Sequence, residues 1–150
     1  MSTGRPAAER ERLSCPSARP EMEGSAVFGI VRGTVVEPRV GYLARPLPVT
    51  PEVLAAAGPA APGEVFRIAA PCAGAGCGHF AGGACSLVQR IVGRLPIVVD
   101  APPPCALRPT CVWWRQEGLA ACRRCPQVVS QPMAPSAEMV AAAGPASPAW

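Results

Sequence analysis

The sequence predicts a small α+β domain, with short strands in its first half and a loop-rich, cysteine-rich second half. Three observations support this prediction. Short runs of β-branched and aromatic residues dominate before residue 70, and the clearest helical spacing of apolar residues comes after it. Twenty prolines and fifteen glycines among 150 residues favour short elements joined by irregular loops. Seven of the eight cysteines lie between Cys72 and Cys125, where bound metal would staple a small core.

The domain is expected to span residues 26–130, between two segments of different composition. Residues 1–25 carry four arginines and four glutamates without apolar periodicity, which predicts a disordered leader. Residues 131–150 are expected to form a flexible tail. Within that tail, residues 138–148 nearly repeat residues 52–62, and chance similarity in an Ala- and Pro-rich chain is favoured over a small alanine helix.

The domain is expected to open with a short β-hairpin. Residues 26–31 and 40–43 are rich in Val, Ile, Phe and Tyr, which favour strands. Residues 37–39 contain a proline between two charged side chains and are expected to form the turn.

A short helix and a third strand are expected after the hairpin. Thr50 can cap a helix over residues 51–57, because Pro51 suits the first helical position and Gly58 suits the end. Residues 64–69 then predict a strand that leads directly into the cysteine-rich half.

The cysteine-rich half is expected to contain two short helices. Apolar spacing predicts one over residues 84–92 and another over residues 111–121, which Gly118 could interrupt. Residues 95–99 are expected to form a short strand, and the three prolines at 102–104 a stiff spacer. The rest of this half would be loops that wrap around metal.

Positive charge is concentrated beside the thiols. The chain has a net charge of +4, and residues 71–125 hold six arginines against two carboxylates. Such a patch is typical of nucleic-acid binding, but arginines can equally compensate the negative charge of thiolates. The candidates for charge compensation are Arg108, Arg115, Arg123 and Arg124.

Two absences in the sequence favour metal over disulfides. The first thirteen residues contain no apolar segment of the kind that directs export, and no run of about 18 apolar residues is present. We therefore expect a cytoplasmic location and no membrane partner. In a reducing compartment, eight cysteines are better explained by metal ligation than by disulfides or free thiols, which are the alternatives.

The candidate ligands divide into two sets of four. Thiolates and imidazole are preferred ligands of zinc and iron, and their binding energy becomes folding energy in a small domain. The predicted metal ligands are Cys72, Cys77, His79 and Cys85 in the first set and Cys105, Cys111, Cys122 and Cys125 in the second. The alternative for His79 is an ordinary polar loop residue that binds no metal. Cys15 lies far upstream, in the predicted leader, and is expected to be a bystander.

The spacing of the cysteines favours an iron–sulfur cluster as cofactor and leaves zinc as the alternative. Structural zinc sites typically pair cysteines with two to four residues between them. Cys122 and Cys125 meet that rule, whereas Cys72 and Cys77 meet it only at its limit. Iron–sulfur proteins accept less regular spacing, and a proline directly after the cysteine, as at Cys125, is familiar from ferredoxins. No ferredoxin pattern matches completely.

The sequence contains little that points to catalysis. Paired carboxylates, a glycine-rich phosphate loop and a Ser/His/Asp set are all missing from it. A Cys–His nucleophile would have no orienting carboxylate other than Asp100. We therefore assign no catalytic residue and do not favour an enzyme.

Four motifs distinguish the chain: residues 64–72 (EVFRIAAPC), 77–80 (CGHF), 111–118 (CVWWRQEG) and 121–129 (ACRRCPQVV). Together they resemble a family of small Cys-rich bacterial proteins, common in cyanobacteria, that often carry the label "nitrogen fixation protein". The resemblance covers about residues 26–130. It implies a link to iron–sulfur or redox metabolism and no catalytic residue.

The leading hypothesis is a small metal-binding protein of the iron–sulfur class that acts in electron transfer, redox sensing or cluster delivery. Its partner would be a redox or assembly protein. The alternative is a zinc-stabilised adaptor that uses Trp113, Trp114 and the arginines to bind a protein or a nucleic acid. Nucleic acid is the less favoured partner of the two.

Overall fold

The computed structural model describes residues 13–34, 36–129 and 136–144. It confirms the small α+β fold. A four-stranded antiparallel sheet comes first and a two-stranded sheet follows, and the described residues contain six short α-helices in addition. Stapling of this fold by metal stays a prediction.

The main sheet contains the predicted hairpin. Its strands are β1 (Ser14–Cys15), β2 (Ala26–Gly33), β3 (Pro38–Pro48) and β4 (Phe66–Pro71), in the spatial order β1-β4-β2-β3. β2 pairs antiparallel with β3 on one side and with β4 on the other. The pairing of β2 shifts in register at Phe28, whose side chain is fully buried.

The helices are short because prolines and glycines interrupt the chain. They are α1 (Pro51–Ala55), α2 (Pro62–Val65), α3 (Ser86–Arg94), α4 (Val112–Glu117), α5 (Leu119–Cys122) and α6 (Ala137–Ala143). Thr50 caps α1 as predicted, because its hydroxyl accepts from the Val53 N–H at 3.2 Å. The small sheet consists of β5 (Phe80–Ala81) and β6 (Ala84–Cys85) and leads directly into α3.

Three elements of the cysteine-rich half differ from the prediction. The helix predicted from residue 84 begins at Ser86, because residues 84–85 pair with β5. The helix predicted over 111–121 is broken at Gly118, which has φ +63° and separates α4 from α5. Residues 95–99 form no strand, and the N–H groups of Val98 and Val99 donate instead to the Arg123 carbonyl.

The segment predicted as a leader belongs to the fold from residue 13 onward. β1 pairs antiparallel with β4, with Cys15 opposite Ala70. Pro16, Ser17 and Ala18 are buried. The physical reason is that β4 would otherwise leave one edge unpaired beside the core. Residues 1–12 lie outside the described part of the chain.

The predicted tail also contributes one described element. Residues 136–144 form α6 with its flanks, and Ser136 caps it by accepting from the Met139 N–H at 3.2 Å. α6 packs against α3, and Ala142 is fully buried. Residues 130–135 and 145–150 lie outside the described residues.

Two groups of buried apolar side chains form the core. The larger group packs Phe28 of the sheet against Leu87, Val88 and Ile91 of α3 and against Trp113 of α4. The smaller group lies under the sheet and contains Ala18, Val27, Phe66, Ile68 and Ala70. No helix among the described residues is long and apolar enough to cross a membrane.

Candidate metal centres

The eight cysteines are free thiols that divide into two groups by their mutual electrostatic interactions. The first thiol group contains Cys15, Cys72, Cys77 and Cys85. The second thiol group contains Cys105, Cys111, Cys122 and Cys125. The second group is the predicted all-cysteine set. The first differs from the predicted set because Cys15 is a member.

The first thiol group is assembled around the junction of β1 and β4. Cys72 directly follows β4, and its N–H donates to the Leu13 carbonyl at 2.7 Å. Cys77 comes after a 3₁₀ turn over Gly74–Gly76, and Cys85 ends β6. Strand pairing therefore brings Cys15 close to Cys72, which is 57 positions later in the sequence.

Burial raises the pKa of two thiols of the first group, Cys15 and Cys85. It raises the pKa of the Cys15 thiol to about 12, and charge on Cys72, Cys85 and Cys77 would raise it further. A backbone hydrogen bond from Ser17 opposes these effects. Burial also raises the pKa of Cys85. Without a cation the Cys15 and Cys85 thiols hold their protons at neutral pH, and a bound metal would replace those protons.

His79 makes its side-chain contact with an arginine. The Arg90 guanidinium donates to Nδ1 of His79 at 3.0 Å, while Nε2 is buried without a partner among the described residues. Burial lowers the pKa of His79, and the positive charges of Arg90 and Arg19 lower it further. The backbone N–H of His79 donates to Cys77 Sγ at 3.4 Å. His79 therefore adjoins the first thiol group, and its ring is oriented by Arg90.

The second thiol group lines a single pocket. All four of its cysteines face this pocket together with Phe28, Tyr42, Trp113 and Trp114. Trp113 is 1% exposed, and its Nε1 finds no hydrogen-bond partner among the described residues. The Tyr42 hydroxyl is likewise buried without a partner there, and burial raises the pKa of Tyr42. The wall is apolar and aromatic, with two unsatisfied donors.

Arg67 extends from β4 to the second thiol group. Its side chain is completely buried, with Nη1 donating to the Cys125 carbonyl at 2.6 Å and Nη2 to Cys125 Sγ at 3.1 Å. Nη2 also donates to the Pro16 carbonyl at 3.0 Å, and the guanidinium lies 5.2 Å from the Phe28 ring centroid. Burial opposes the charge of Arg67, yet negative charge on Cys125 and Tyr42 raises its pKa overall.

Arg67 has no carboxylate partner in the described part of the chain. Across residues 13–34, 36–129 and 136–144 the ion pair that forms is the exposed one between Arg39 and Glu37, at 3.9 Å. Burying the charged side chain of an arginine costs on the order of several kcal/mol unless an opposite charge compensates it. The group in hydrogen-bond contact that can acquire such a charge is the Cys125 thiol.

Of the four arginines proposed to compensate thiolate charge, Arg108 is the one in contact with a thiol. A hydrogen bond from Arg108 lowers the pKa of Cys122, although burial raises it more. The Arg108 guanidinium also lies 5.6 Å from the Trp114 ring centroid. The remaining three donate to backbone carbonyls that fasten the loops: Arg115 to Pro109, Arg123 to Val99, and Arg124 to Leu95 and Ala120.

Burial is also the largest effect on the pKa of two further thiols of the second group, Cys111 and Cys105. It raises the pKa of Cys111 to about 12, and Cys125 and Cys105 add to that shift while the backbone of Trp114 and Trp113 opposes it. The pKa of Cys105 is raised by burial too. The second thiol group therefore combines three thiols of raised pKa with the nearby guanidinium groups of Arg67 and Arg108.

The donor set suits a thiophilic metal better than a hard cation. Each group supplies four sulfur atoms, and four thiolates are the usual ligands of structural zinc and of iron–sulfur clusters. Among the described residues, no three His, Cys, Asp or Glu side chains converge closely enough to hold a metal ion. Ligation would therefore require the thiols of a group to turn toward a common point.

Sequence reasoning missed two residues of these groups. Cys15 precedes Pro16, just as Cys125 precedes Pro126, and that shared pattern was a usable signal. Arg67 interrupts an otherwise buried apolar strand, which indicates a charge with a specific partner. Neither signal identifies which thiols lie nearby.

The chain matches no protein-family model, no curated protein and no solved structure.

Proposed function

We propose that this chain is a small cytoplasmic metal-binding protein of the iron–sulfur class, acting in electron transfer, redox sensing or cluster delivery with a protein partner. The second thiol group would hold one centre through Cys105, Cys111, Cys122 and Cys125. The first thiol group would hold another. The resemblance of the cysteine motifs to proteins labelled for nitrogen fixation agrees with a role in iron–sulfur or redox metabolism.

The observation that carries the proposal is the buried guanidinium of Arg67 against Cys125. A neutral thiol gives a buried cation little compensation, whereas a metal-bound thiolate gives it a charge-assisted hydrogen bond. Hydrogen bonds to cluster sulfurs are also one means by which proteins set the potential of an iron–sulfur centre. The burial of the Arg67 charge is therefore explained if Cys125 is a metal-bound thiolate.

Iron–sulfur is favoured over zinc by spacing and by the pocket wall. Cys105 and Cys111 are separated by five residues and Cys111 and Cys122 by ten, which departs from the short pairs of structural zinc sites. Phe28, Tyr42 and the two tryptophans would shield a cluster from water, and solvent exposure is a principal determinant of cluster potential. Bound there, a cluster would supply one-electron chemistry.

The adaptor alternative loses part of its support in the structure. Trp113 is buried in the core, so it offers no surface to a partner. Arg115, Arg123 and Arg124 are engaged by backbone carbonyls. A zinc-stabilised adaptor would have to use Trp114 and other exposed side chains.

The proposal is tested by purifying the full chain without oxygen and measuring iron, acid-labile sulfide and zinc per chain. We expect brown protein that absorbs at about 400 nm, with iron and sulfide in equal amounts. Colourless protein with stoichiometric zinc would overturn the iron–sulfur assignment in favour of zinc. Protein with neither metal, whose thiols react only after reductant is added, would point to disulfides and end the metal proposal.

A further inference from the structure

We propose that the free edge of β3 is a docking site for an extended, acidic segment of a protein partner, which would pair with β3 as a further strand of the main sheet. β3 lies at the opposite edge of this sheet from β1. The inference goes beyond the proposed metal-binding function and requires no bound metal. The two proposals can therefore fail independently of each other.

One side of β3 has no described strand beside it. β2 pairs with the other side, in a continuous register that runs from Tyr42 opposite Gly29 to Pro38 opposite Gly33. Among the described residues, no backbone hydrogen bond outside the main sheet involves residues 38–48. The outward N–H and C=O groups of β3 thus lack backbone partners there, and such groups are the template on which a further strand can pair.

Prolines limit the free edge to one short stretch. Pro38 begins β3, and Pro46 and Pro48 lie near its end. Proline has no N–H to donate, so it cannot contribute a donor to a new strand pairing. Residues 39–45 contain no proline and keep their N–H groups. This stretch is about as long as an average strand, so it suits one short segment of a partner.

Arg32 and Arg39 place two positive charges beside this edge. The pairing of β2 with β3 sets the two residues directly opposite each other, on the same face of the sheet. Like charges in such a cross-strand pair are destabilising. Residues 26–48 contain three arginines and one carboxylate, that of Glu37, whose Oε1 lies 3.9 Å from Nη2 of Arg39. The ion pair with Glu37 therefore leaves net positive charge at this end of the hairpin.

Gly41 lets the Arg32 side chain lie across β3 toward the free edge. Gly41 follows Arg39 by two residues, so the two positions share a face of the sheet. A methyl group added at Gly41 would lie 2.8 Å from Nε of Arg32, which is closer than such atoms approach. The Arg32 side chain therefore occupies the space that a side chain at position 41 would take. Arg32 and Arg39 are both exposed, so their guanidinium groups can reach a segment paired with β3.

Charge selects the occupant of this edge. If β3 of a second copy paired here, the arginines of both copies would come together in one sheet, and their like charges would repel. A segment with alternating carboxylates would instead offer each guanidinium a charge-assisted hydrogen bond, and arginine–carboxylate contacts of this kind are often bidentate. Backbone pairing would supply affinity, and Arg32 and Arg39 would supply the preference for acidic side chains.

The first test measures the binding of three short fluorescent peptides to the full chain by anisotropy. One peptide alternates glutamate with valine, another alternates lysine with valine, and the last repeats the glutamate peptide with a methyl group on every backbone nitrogen. We expect only the unmethylated glutamate peptide to bind, because the lysine peptide has the wrong charge and the methylated one has no backbone N–H to donate. No binding of the glutamate peptide would overturn the proposal, since the arginines would then only protect the edge. Equal binding of the methylated peptide would overturn pairing as a strand.

Charge reversal at the edge provides a second test. The Arg39 side chain is 73% exposed, so Arg39→Glu should leave the fold and the metal content unchanged. It should weaken binding of the glutamate peptide by roughly fivefold or more, because it replaces an attraction between exposed charges with a repulsion. It should also strengthen binding of the lysine peptide.

The matched control is Arg94→Glu, which makes the same change of charge at an exposed position of α3. We expect this variant to bind both peptides as the unaltered chain does. Equal weakening in Arg94→Glu and Arg39→Glu would show that only net charge matters, and it would overturn the site. A chain that binds metal but no peptide would overturn this inference and leave the proposed function intact.

Discussion

The two thiol groups are built in different ways from the same ligand type. The second group is formed by cysteines within 21 residues of one another, and it faces a pocket walled by Trp113 and Phe28. The buried Arg67 donates a hydrogen bond to one of its thiols, Cys125. The first group depends on strand pairing between Cys15 and a segment that begins 55 positions later, and its loop over residues 73–83 is mostly exposed.

This difference suggests that the two proposed centres differ in how readily they release metal. The surrounding aromatic rings would exclude water from the second centre, and the positive charge of Arg67 would stabilise its thiolate ligands. The glycine-rich loop of the first group, with few apolar contacts, belongs to the kind of segment that opens at low cost. The first centre is therefore the expected site of exchange with a partner, and the second the more durable one.

The largest expected effect comes from removing the wall of the second group. Trp113→Ala should lower the free energy of unfolding by about 3–5 kcal/mol, because truncating a buried aromatic residue leaves a cavity in the core. The second centre should be lost with it. Denaturant unfolding and metal content per chain measure both effects.

The matched control for the tryptophan is Leu119→Ala, on the neighbouring helix α5. Leu119 is 47% exposed, so this change should alter stability by no more than about 0.5 kcal/mol and leave both centres in place. If Trp113→Ala and Leu119→Ala lose the same stability and the same metal, the buried aromatic wall does not stabilise the second centre.

The next effect in size is expected from Arg67. Arg67→Met removes the cation and leaves the Cys125 and Pro16 carbonyls buried without their donor, at a cost of about 1–3 kcal/mol each. It should also deplete the second centre while sparing the first. Unfolding and metal analysis are again the measurements, with the exposed Arg39→Met as control.

A further variant separates the charge of Arg67 from its shape. Arg67→Lys keeps the positive charge but cannot reproduce the two-sided contact with Cys125, so it should retain the second centre at reduced stability. If the lysine and methionine variants behave alike, charge compensation at Cys125 is not the role of this side chain.

Rules of residue preference and helix capping predicted the elements that are determined by residues close together in the sequence. The hairpin of β2 and β3 follows from two short runs of β-branched and aromatic residues around a turn, and the Thr50 cap follows from one hydroxyl and a proline. The set of four cysteines from Cys105 to Cys125 could be grouped because they are close in sequence.

The features that sequence reasoning missed depend on contacts between distant residues. Pairing of β1 with β4 joins residues 15 and 70, and composition alone made the first of these look like part of a disordered leader. The helix break at Gly118 was foreseen as an option, but its φ of +63° is decided by the packing of α4 and α5. The partner of Arg67 likewise becomes visible only when β4 meets the second thiol group.

The smallest expected effect, a difference in rates, tests the contrast between the groups most directly. With a colorimetric chelator in excess, the loaded chain should release its metal in two phases of equal amplitude, the faster from the exposed first group. Cys15→Ser should leave only the slow phase, whereas Arg67→Met should leave only the fast one. A single phase in the unaltered chain would mean that the aromatic wall and Arg67 give the second centre no added protection. The two groups would then differ in construction but not in durability.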